Sequence, residues 1–159
     1  MNRVSVECEV NGRAVAAEVE PRMLLSELLR EACAATSVHI GCGQGICGAC
    51  TVLLDGRTRR SCTTLAASVQ GRRVETLEGL SDAGDRVTRA LQAAFISNGG
   101  LQCGFCTPGM LLAARELLAE NPTPDRDAIR EALAGNFCRC TGYGPIVDAV
   151  EEAAKELVR

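Results

Sequence analysis

Gly41-Cys42-Gly43-Gln44-Gly45-Ile46-Cys47-Gly48-Ala49-Cys50 is the stretch on which the reading of this chain turns. Three cysteines stand in Cys-x4-Cys-x2-Cys order, and a fourth, Cys62, follows after eleven residues. That is the ligand spacing of a plant-type [2Fe–2S] loop. A cluster held by four thiolates is anionic, so backbone N–H groups must come close to its sulfurs to offset the charge. Gly43, Gly45 and Gly48 permit that approach, because glycine has no Cβ and tolerates positive φ. The same glycines match the dinucleotide pattern G-x-G-x-x-G. That pattern needs a strand before it and a helix after it, whereas here cysteines interrupt it and a strand-like run follows. Structural zinc favours two Cys-x2–4-Cys hooks, which this run with one remote Cys fits poorly. His39 is the only histidine. A Rieske centre needs two, so that class is excluded, and His39 is read as a solvated or cluster-shielding loop side chain.

Before this loop the chain alternates. Val4, Val6, Cys8 and Val10 point one way and Ser5, Glu7 and Glu9 the other; Asn11-Gly12 signals a hairpin, and Val15, Ala17 and Val19 alternate again. Pro21 ends the ribbon. From Leu24 to Cys33 the period becomes helical, with Leu25, Leu28, Leu29 and Ala32 on one stripe. After the loop, Thr51-Val52-Leu53-Leu54 reads as a short strand turned by Asp55-Gly56, and Arg73-Val74-Glu75-Thr76-Leu77 as a last strand. These elements make a small mixed sheet with a helix across it.

From Ser81 onward the signals are helical. Ser81 is placed to cap a helix carrying Val87, Leu91, Ala94 and Phe95, stopped by Asn98-Gly99-Gly100. Thr107-Pro108 reads as an N-cap and a first-turn proline, opening a helix with Met110, Leu111, Ala114, Leu117 and Leu118. Thr123-Pro124 starts another, with Ile129 and Leu133, ending at Gly135. Pro145 opens the last, with Ile146, Ala149, Val150, Ala153 and Leu157 on one face. Four short helices with tight connections fit a small bundle. The boundary between the halves is expected near Gly79.

A second cysteine group, Cys103, Cys106, Cys138 and Cys140, reads Cys-x2-Cys, a gap of 31 residues, then Cys-x-Cys. Both pairs precede proline-started helices, whose N-termini favour an anionic cluster. Cys138-Arg139-Cys140 is too tight for an unstrained disulfide, which supports metal ligation. On spacing alone an iron–sulfur cluster leads, with zinc and a redox thiol pair as the alternatives. Cys8 and Cys33 remain and are read as buried free thiols.

The chain has 159 residues, 3% aromatic content, no Trp and a net charge of −3. Each half is small for an unaided core, so a metal cross-link would help it. Arg59-Arg60 and Arg72-Arg73 are only pairs, which disfavours nucleic acid. The N-terminus has no apolar leader and no twin arginine, and no apolar run approaches the ~18 residues of a membrane span. The expected location is cytoplasmic, where ten cysteines read as metal ligands rather than disulfides.

Three stretches carry a resemblance: Gly41–Thr51, Gly100-Leu-Gln102-Cys103-Gly-Phe-Cys106-Thr-Pro-Gly109 and Gly135-Asn-Phe-Cys138-Arg-Cys140-Thr-Gly-Tyr143. Together they closely resemble the iron–sulfur subunit of the xanthine dehydrogenase family of molybdenum hydroxylases. The resemblance implies two [2Fe–2S] clusters and an α+β chain: a β-grasp ferredoxin domain over residues 1–79, then a four-helix bundle over residues 80–159. It implies a molybdopterin cofactor in a large partner subunit and FAD in a medium one, as a dimer of heterotrimers. It places the cluster of Cys103, Cys106, Cys138 and Cys140 near the pterin, approached by Gln102 and Cys140, and the cluster of Cys42, Cys47, Cys50 and Cys62 toward the flavin. The chain would then relay electrons and hold no catalytic pocket of its own. Gly144 and Phe137 depart from the Gln and Leu frequent in the family, and neither position is a ligand. The alternative is a stand-alone two-cluster ferredoxin, which usually shows a more acidic face than this chain has.

Overall fold

The computed structural model describes residues 3–159; Met1 and Asn2, part of the N-terminal stretch read above, lie outside them. Strands β1 (Val4–Val10) and β2 (Arg13–Val19) pair antiparallel from Val4↔Val19 to Val10↔Arg13. Asn11 and Gly12 both take positive φ, 52° and 76°, as a two-residue hairpin turn with the right twist demands. Val6, Cys8 and Val10 are buried while Ser5, Glu7 and Glu9 face solvent, as the alternation predicts.

Helix α1 (Leu25–Glu31) presses Leu25, Leu28 and Leu29 into the sheet. The Glu27 carboxylate accepts the Leu24 N–H at 2.7 Å, satisfying a donor that the helix start leaves free. The helix ends earlier than its apolar stripe predicts. Ala34 turns left-handed at φ 54°, which leaves Ala32 exposed and Cys33 half-buried at the rim, and Ala35 and Val38 take the core positions instead.

Strand β3 (Thr51–Leu54) turns through Asp55-Gly56 into β4 (Arg57–Arg60), and β5 (Arg73–Glu75) runs parallel to β1 and antiparallel to β3. The sheet order is β2-β1-β5-β3-β4. The sequence gives no sign of β4, because Arg-Thr-Arg-Arg has no apolar face. It is an edge strand held by its pairing to β3 and by the Thr58 N–H on the Glu116 carboxylate, 3.1 Å.

Five helices follow: α2 (Leu77–Asp82), α3 (Arg86–Ser97), α4 (Thr107–Glu120), α5 (Arg126–Leu133) and α6 (Gly144–Leu157). The caps differ from the sequence reading. Ser81 lies within α2, Gly84 breaks the chain at φ 68°, and Asp85 caps α3 by accepting the Thr88 N–H at 2.8 Å. Thr107 is the first residue of α4 rather than its cap. Asp125, not Thr123, caps α5 through the Ala128 N–H at 2.8 Å. The expected apolar faces do meet: Leu91, Phe95, Met110, Ile129, Ile146 and Val150 form one core among α3–α6.

Leu53, Leu80 and Leu112 form a separate cluster between the sheet and the helices. Strand β3 is therefore buried on both faces, which explains why Val52-Leu53-Leu54 does not alternate. A polar strap runs alongside. The Asn11 amide accepts the Thr76 N–H at 2.8 Å and donates to its hydroxyl at 3.0 Å; the Thr76 hydroxyl donates to Glu78 at 2.6 Å, and Glu78 also accepts the Ser37 N–H at 2.6 Å.

Burial pushes the Glu78 carboxyl up, but hydrogen bonds from Ser37 and Thr76 outweigh it and hold it below the usual carboxylate range. At Asp85, too, burial raises the carboxyl, and bonds from Arg115 and Thr88 more than offset it. A depressed folded value means that this stabilisation is present above the unfolded pKa, about 3.9–4.3, and is lost as the pH falls through the folded value. Thermal melts below about pH 4 should therefore show falling Tm, and Glu78→Gln should flatten the fall. A Glu78→Gln protein with the same acid dependence as the parent would show that the strap contributes nothing to it.

Candidate metal centres

The loop between α1 and β3 carries Cys42 and Cys47, Cys50 stands immediately before β3, and Cys62 lies on a 3-10 turn, Ser61–Thr63, just after β4. The β3–β4 hairpin is what returns Cys62 to Cys50: the Ser61 N–H and hydroxyl both reach the Cys50 carbonyl, at 3.3 and 2.7 Å. Cys50 and Cys62 are buried and Cys42 and Cys47 half-buried. Backbone donors already face these sulfurs. The Gln44 and Cys47 N–H groups lie 3.3 and 3.4 Å from Cys42 Sγ, and the Gly45 N–H lies 3.3 Å from Cys62 Sγ. Gly43, Gly45 and Gly48 all have positive φ, as the loop reading predicts. The N–H bonds from Cys47 and Gln44 bring the Cys42 thiol down to about 6. Burial, with a hydrogen bond to Cys50, pushes Cys62 up to about 11. Coordination to a metal would ionise such a thiol outright.

In the second group Cys103 and Cys106 flank Gly104-Phe105, and Cys106 occupies the N-cap position of α4. Cys138 and Cys140 lie between α5 and α6, with Thr141-Gly142-Tyr143 separating Cys140 from the helix, so only the first pair abuts a helix start. Cys103 Sγ and Cys140 Sγ are 3.6 Å apart. That is close to the separation of two sulfurs on one tetrahedral metal with bonds of about 2.3 Å. Gln102 Nε2 donates to the Cys140 carbonyl at 3.2 Å, the Cys138 N–H donates to the Tyr143 hydroxyl at 2.9 Å, and the Thr141 hydroxyl lies 3.2 Å from Cys138 Sγ. The Phe105 N–H pulls the Cys103 thiol down, whereas burial pushes Cys106 up to about 12. At Cys138 burial raises the thiol, but hydrogen bonds led by Thr141 lower it overall.

Sulfurs of both sets lie beside hydrogen-bonding groups, and burial raises one thiol in each, Cys62 and Cys106. Four soft thiols, fixed N–H donors and glycines at the points of closest backbone approach suit an anionic iron–sulfur cluster. Among the described residues no three His, Cys, Asp or Glu side chains gather as closely as a single ion requires. Cys8 and Cys33 stand outside both sets. Burial raises each thiol, and the neighbouring Cys33 adds to the effect at Cys8.

The sequence gives no sign of how tightly the halves interlock. The Phe137 N–H donates to the Cys47 carbonyl at 2.9 Å. Asn136, 2% exposed, donates to the Gly48 carbonyl at 3.0 Å and to the Thr51 hydroxyl at 3.3 Å. Arg60 reaches across to the Gly135 carbonyl at 2.7 Å and to Asn136 Oδ1 at 3.1 Å. A Cβ on Gly48 would lie 2.6 Å from the Gly135 carbonyl oxygen. Asn136→Ala would remove one of three donors to the buried Gly48 carbonyl, which keeps the Thr51 N–H and hydroxyl, and one acceptor of Arg60, at about 0.5–1.5 kcal/mol per hydrogen bond lost. A lowered Tm is the expected result, and a Tm equal to that of the parent would contradict the role of this clamp.

Two family models match along the chain, one described as a 2Fe-2S iron-sulfur cluster binding domain over residues 10–91 and one as a [2Fe-2S] binding domain over residues 76–151. The nicotine 6-hydroxylase small subunit of Paenarthrobacter nicotinovorans is 47% identical over 98% of this chain and 93% of its own. The xanthine dehydrogenase iron-sulfur-binding subunit of Escherichia coli O157:H7 is 44% identical over 96% of this chain and 95% of its own. The chain belongs to the iron–sulfur subunits of the xanthine dehydrogenase family. Among solved structures, quinoline 2-oxidoreductase from Pseudomonas putida 86 superposes with a TM-score of 0.89 at 47% identity, over 99% of this chain and 96% of that one. This iron–sulfur subunit is thus similar over nearly its whole length to one relative described as a small subunit and to another described as an iron–sulfur-binding subunit. No helix among its described residues is long and apolar enough to cross a membrane.

Proposed function

We propose that this chain is the electron relay of a molybdenum hydroxylase, with one [2Fe–2S] cluster on Cys42, Cys47, Cys50 and Cys62 and a second on Cys103, Cys106, Cys138 and Cys140. The reading divides it into a β-grasp unit over 1–79 and a four-helix bundle over 80–159. When bound, each cluster takes up and releases one electron at a time. The observation that carries the reading is the hydrogen bond from the Phe137 N–H to the Cys47 carbonyl, 2.9 Å. Cys47 belongs to the first thiol set and Phe137 precedes Cys138 of the second, so one hydrogen bond completes a backbone route between the two sets.

Exposure of the second set supports the orientation that the family resemblance implies. Cys103 and Cys140 are exposed, and Leu101, Phe105, Phe137 and Tyr143, also exposed, lie among the second set's loops. A large partner holding molybdopterin would cover this rim, with Gln102 and Cys140 closest to the pterin, while the first centre serves a flavin-binding medium subunit. The chain contributes no catalytic pocket. Its residues hold thiolates, aim N–H groups at them and fix the distance between the centres. The assembled enzyme would hydroxylate a heteroaromatic ring or an aldehyde in the cytoplasm, as a dimer of heterotrimers.

Gln102→Ala tests the orientation. Gln102 holds no iron in this reading, so iron content should stay constant. Removing its amide from the cofactor edge would leave pterin groups unpaired, at a cost of about 1–3 kcal/mol. Weaker molybdenum retention or slower bleaching of the second centre by substrate is expected. Parental values for both would show that this face does not meet the cofactor.

A further inference from the structure

His39, the only histidine, has no role in the ligand sets. It lies three residues before Cys42, yet its contacts are with the other half of the chain. Its ring stacks on Phe105 with centroids 4.8 Å apart and planes 19° from parallel. Its Nδ1 is 2.8 Å from the Phe105 carbonyl oxygen. A carbonyl only accepts, so Nδ1 carries the proton and donates it. One imidazole thus holds both the side chain and the backbone of a residue set between Cys103 and Cys106.

Phe105 in turn reaches the first loop. A Cβ on Gly41 would lie 3.3 Å from Phe105 Cε1 and 3.1 Å from Cys47 Sγ. The bare backbone of Gly41 therefore lets the ring edge and the Cys47 sulfur pack against the same point. Phe105 touches the surroundings of both centres, and His39 is what fixes it there.

We propose that His39 is a positioning residue that pins Phe105 as a spacer between the two thiol sets, fixing the geometry between the centres. This inference rests on the reading that both sets carry [2Fe–2S] clusters. The Asn136 and Phe137 contacts hold the loops together on the Cys138 side, and the His39–Phe105 pair braces the Cys103–Cys106 side. Loss of the hydrogen bond and the stack should shift the pinned-to-free balance of Phe105 on the order of tenfold. Freed, Phe105 no longer holds the two loops at a fixed separation, so the distance between the centres varies.

The experiment is electron paramagnetic resonance on the dithionite-reduced assembled enzyme. The variants are His39→Ala, His39→Asn, whose amide N–H can still reach the Phe105 carbonyl, and Phe105→Leu, which removes the ring from the other side. With iron content unchanged, His39→Ala and Phe105→Leu should weaken the spin–spin interaction between the two centres. His39→Asn should restore that interaction in part. Parental coupling in both His39→Ala and Phe105→Leu would overturn the proposal. A His39→Asn protein as shifted as His39→Ala would overturn the hydrogen-bond role. A parent enzyme with a single iron–sulfur signal would instead sink the two-cluster reading beneath it.

Discussion

Cys47→Ser is expected to abolish transfer to the external acceptor while substrate still reduces the second centre. Cys47 belongs to the set that includes Cys62, toward which the Gly45 N–H is directed, and no residue of the second set shares those sulfurs. The two sets lie in different halves of the chain, so damage to one should leave the other's resonance intact. The Cys47 carbonyl that accepts the Phe137 N–H is backbone and survives the substitution. The measurement is resonance of the reduced protein together with steady-state turnover. Loss of both signals from a folded variant would mean that the cysteines are paired wrongly between the sets.

Gly109→Ala should destabilise the chain, against the usual sign. In an exposed helix interior Ala is favoured over Gly by about 1 kcal/mol. Gly109 lies in the first turn of α4, and a Cβ there would lie 2.3 Å from the Gly48 carbonyl oxygen and 2.9 Å from Asn136 Nδ2. The nearest obstacle is backbone on the cluster loop, and that backbone is itself held by Asn136, so no flexible side chain can yield. Overpacking of this kind costs about 1–3 kcal/mol. For a chain of this length, 3 kcal/mol corresponds to a fall in Tm of roughly 6–12 °C. The first centre should also be lost more readily on dilution or chelation, because its loop is the part displaced. A Tm at or above the parent's would show that α4 and the loop do not meet as described.

What the sequence revealed was local chemistry. The cysteine spacing, the glycines of the cluster loop, the Asn11-Gly12 hairpin and the apolar faces of α3–α6 each depend on residues near one another in the chain, and each was legible. What stayed hidden depends on partners far away in sequence. Strand β4 has no apolar pattern because its neighbours cover it from one side only. The caps of α3 and α5 fall to Asp85 and Asp125, because the chain enters each helix later than Ser81 and Thr123. Asn136, Arg60 and Gly109 carry no local signal of their roles, because only the packing of the two halves gives them a task. His39 reads as a solvated or cluster-shielding loop side chain, and nothing near it in sequence points to Phe105.

The account rests on two separate clusters in one chain. Iron and acid-labile sulfide analysis of the fully loaded protein, read with resonance spectra after dithionite reduction, tests that directly. About four iron and four sulfide per chain, with two distinguishable [2Fe–2S] signals, is the predicted result. A single signal with about two iron in a fully loaded sample would contradict it.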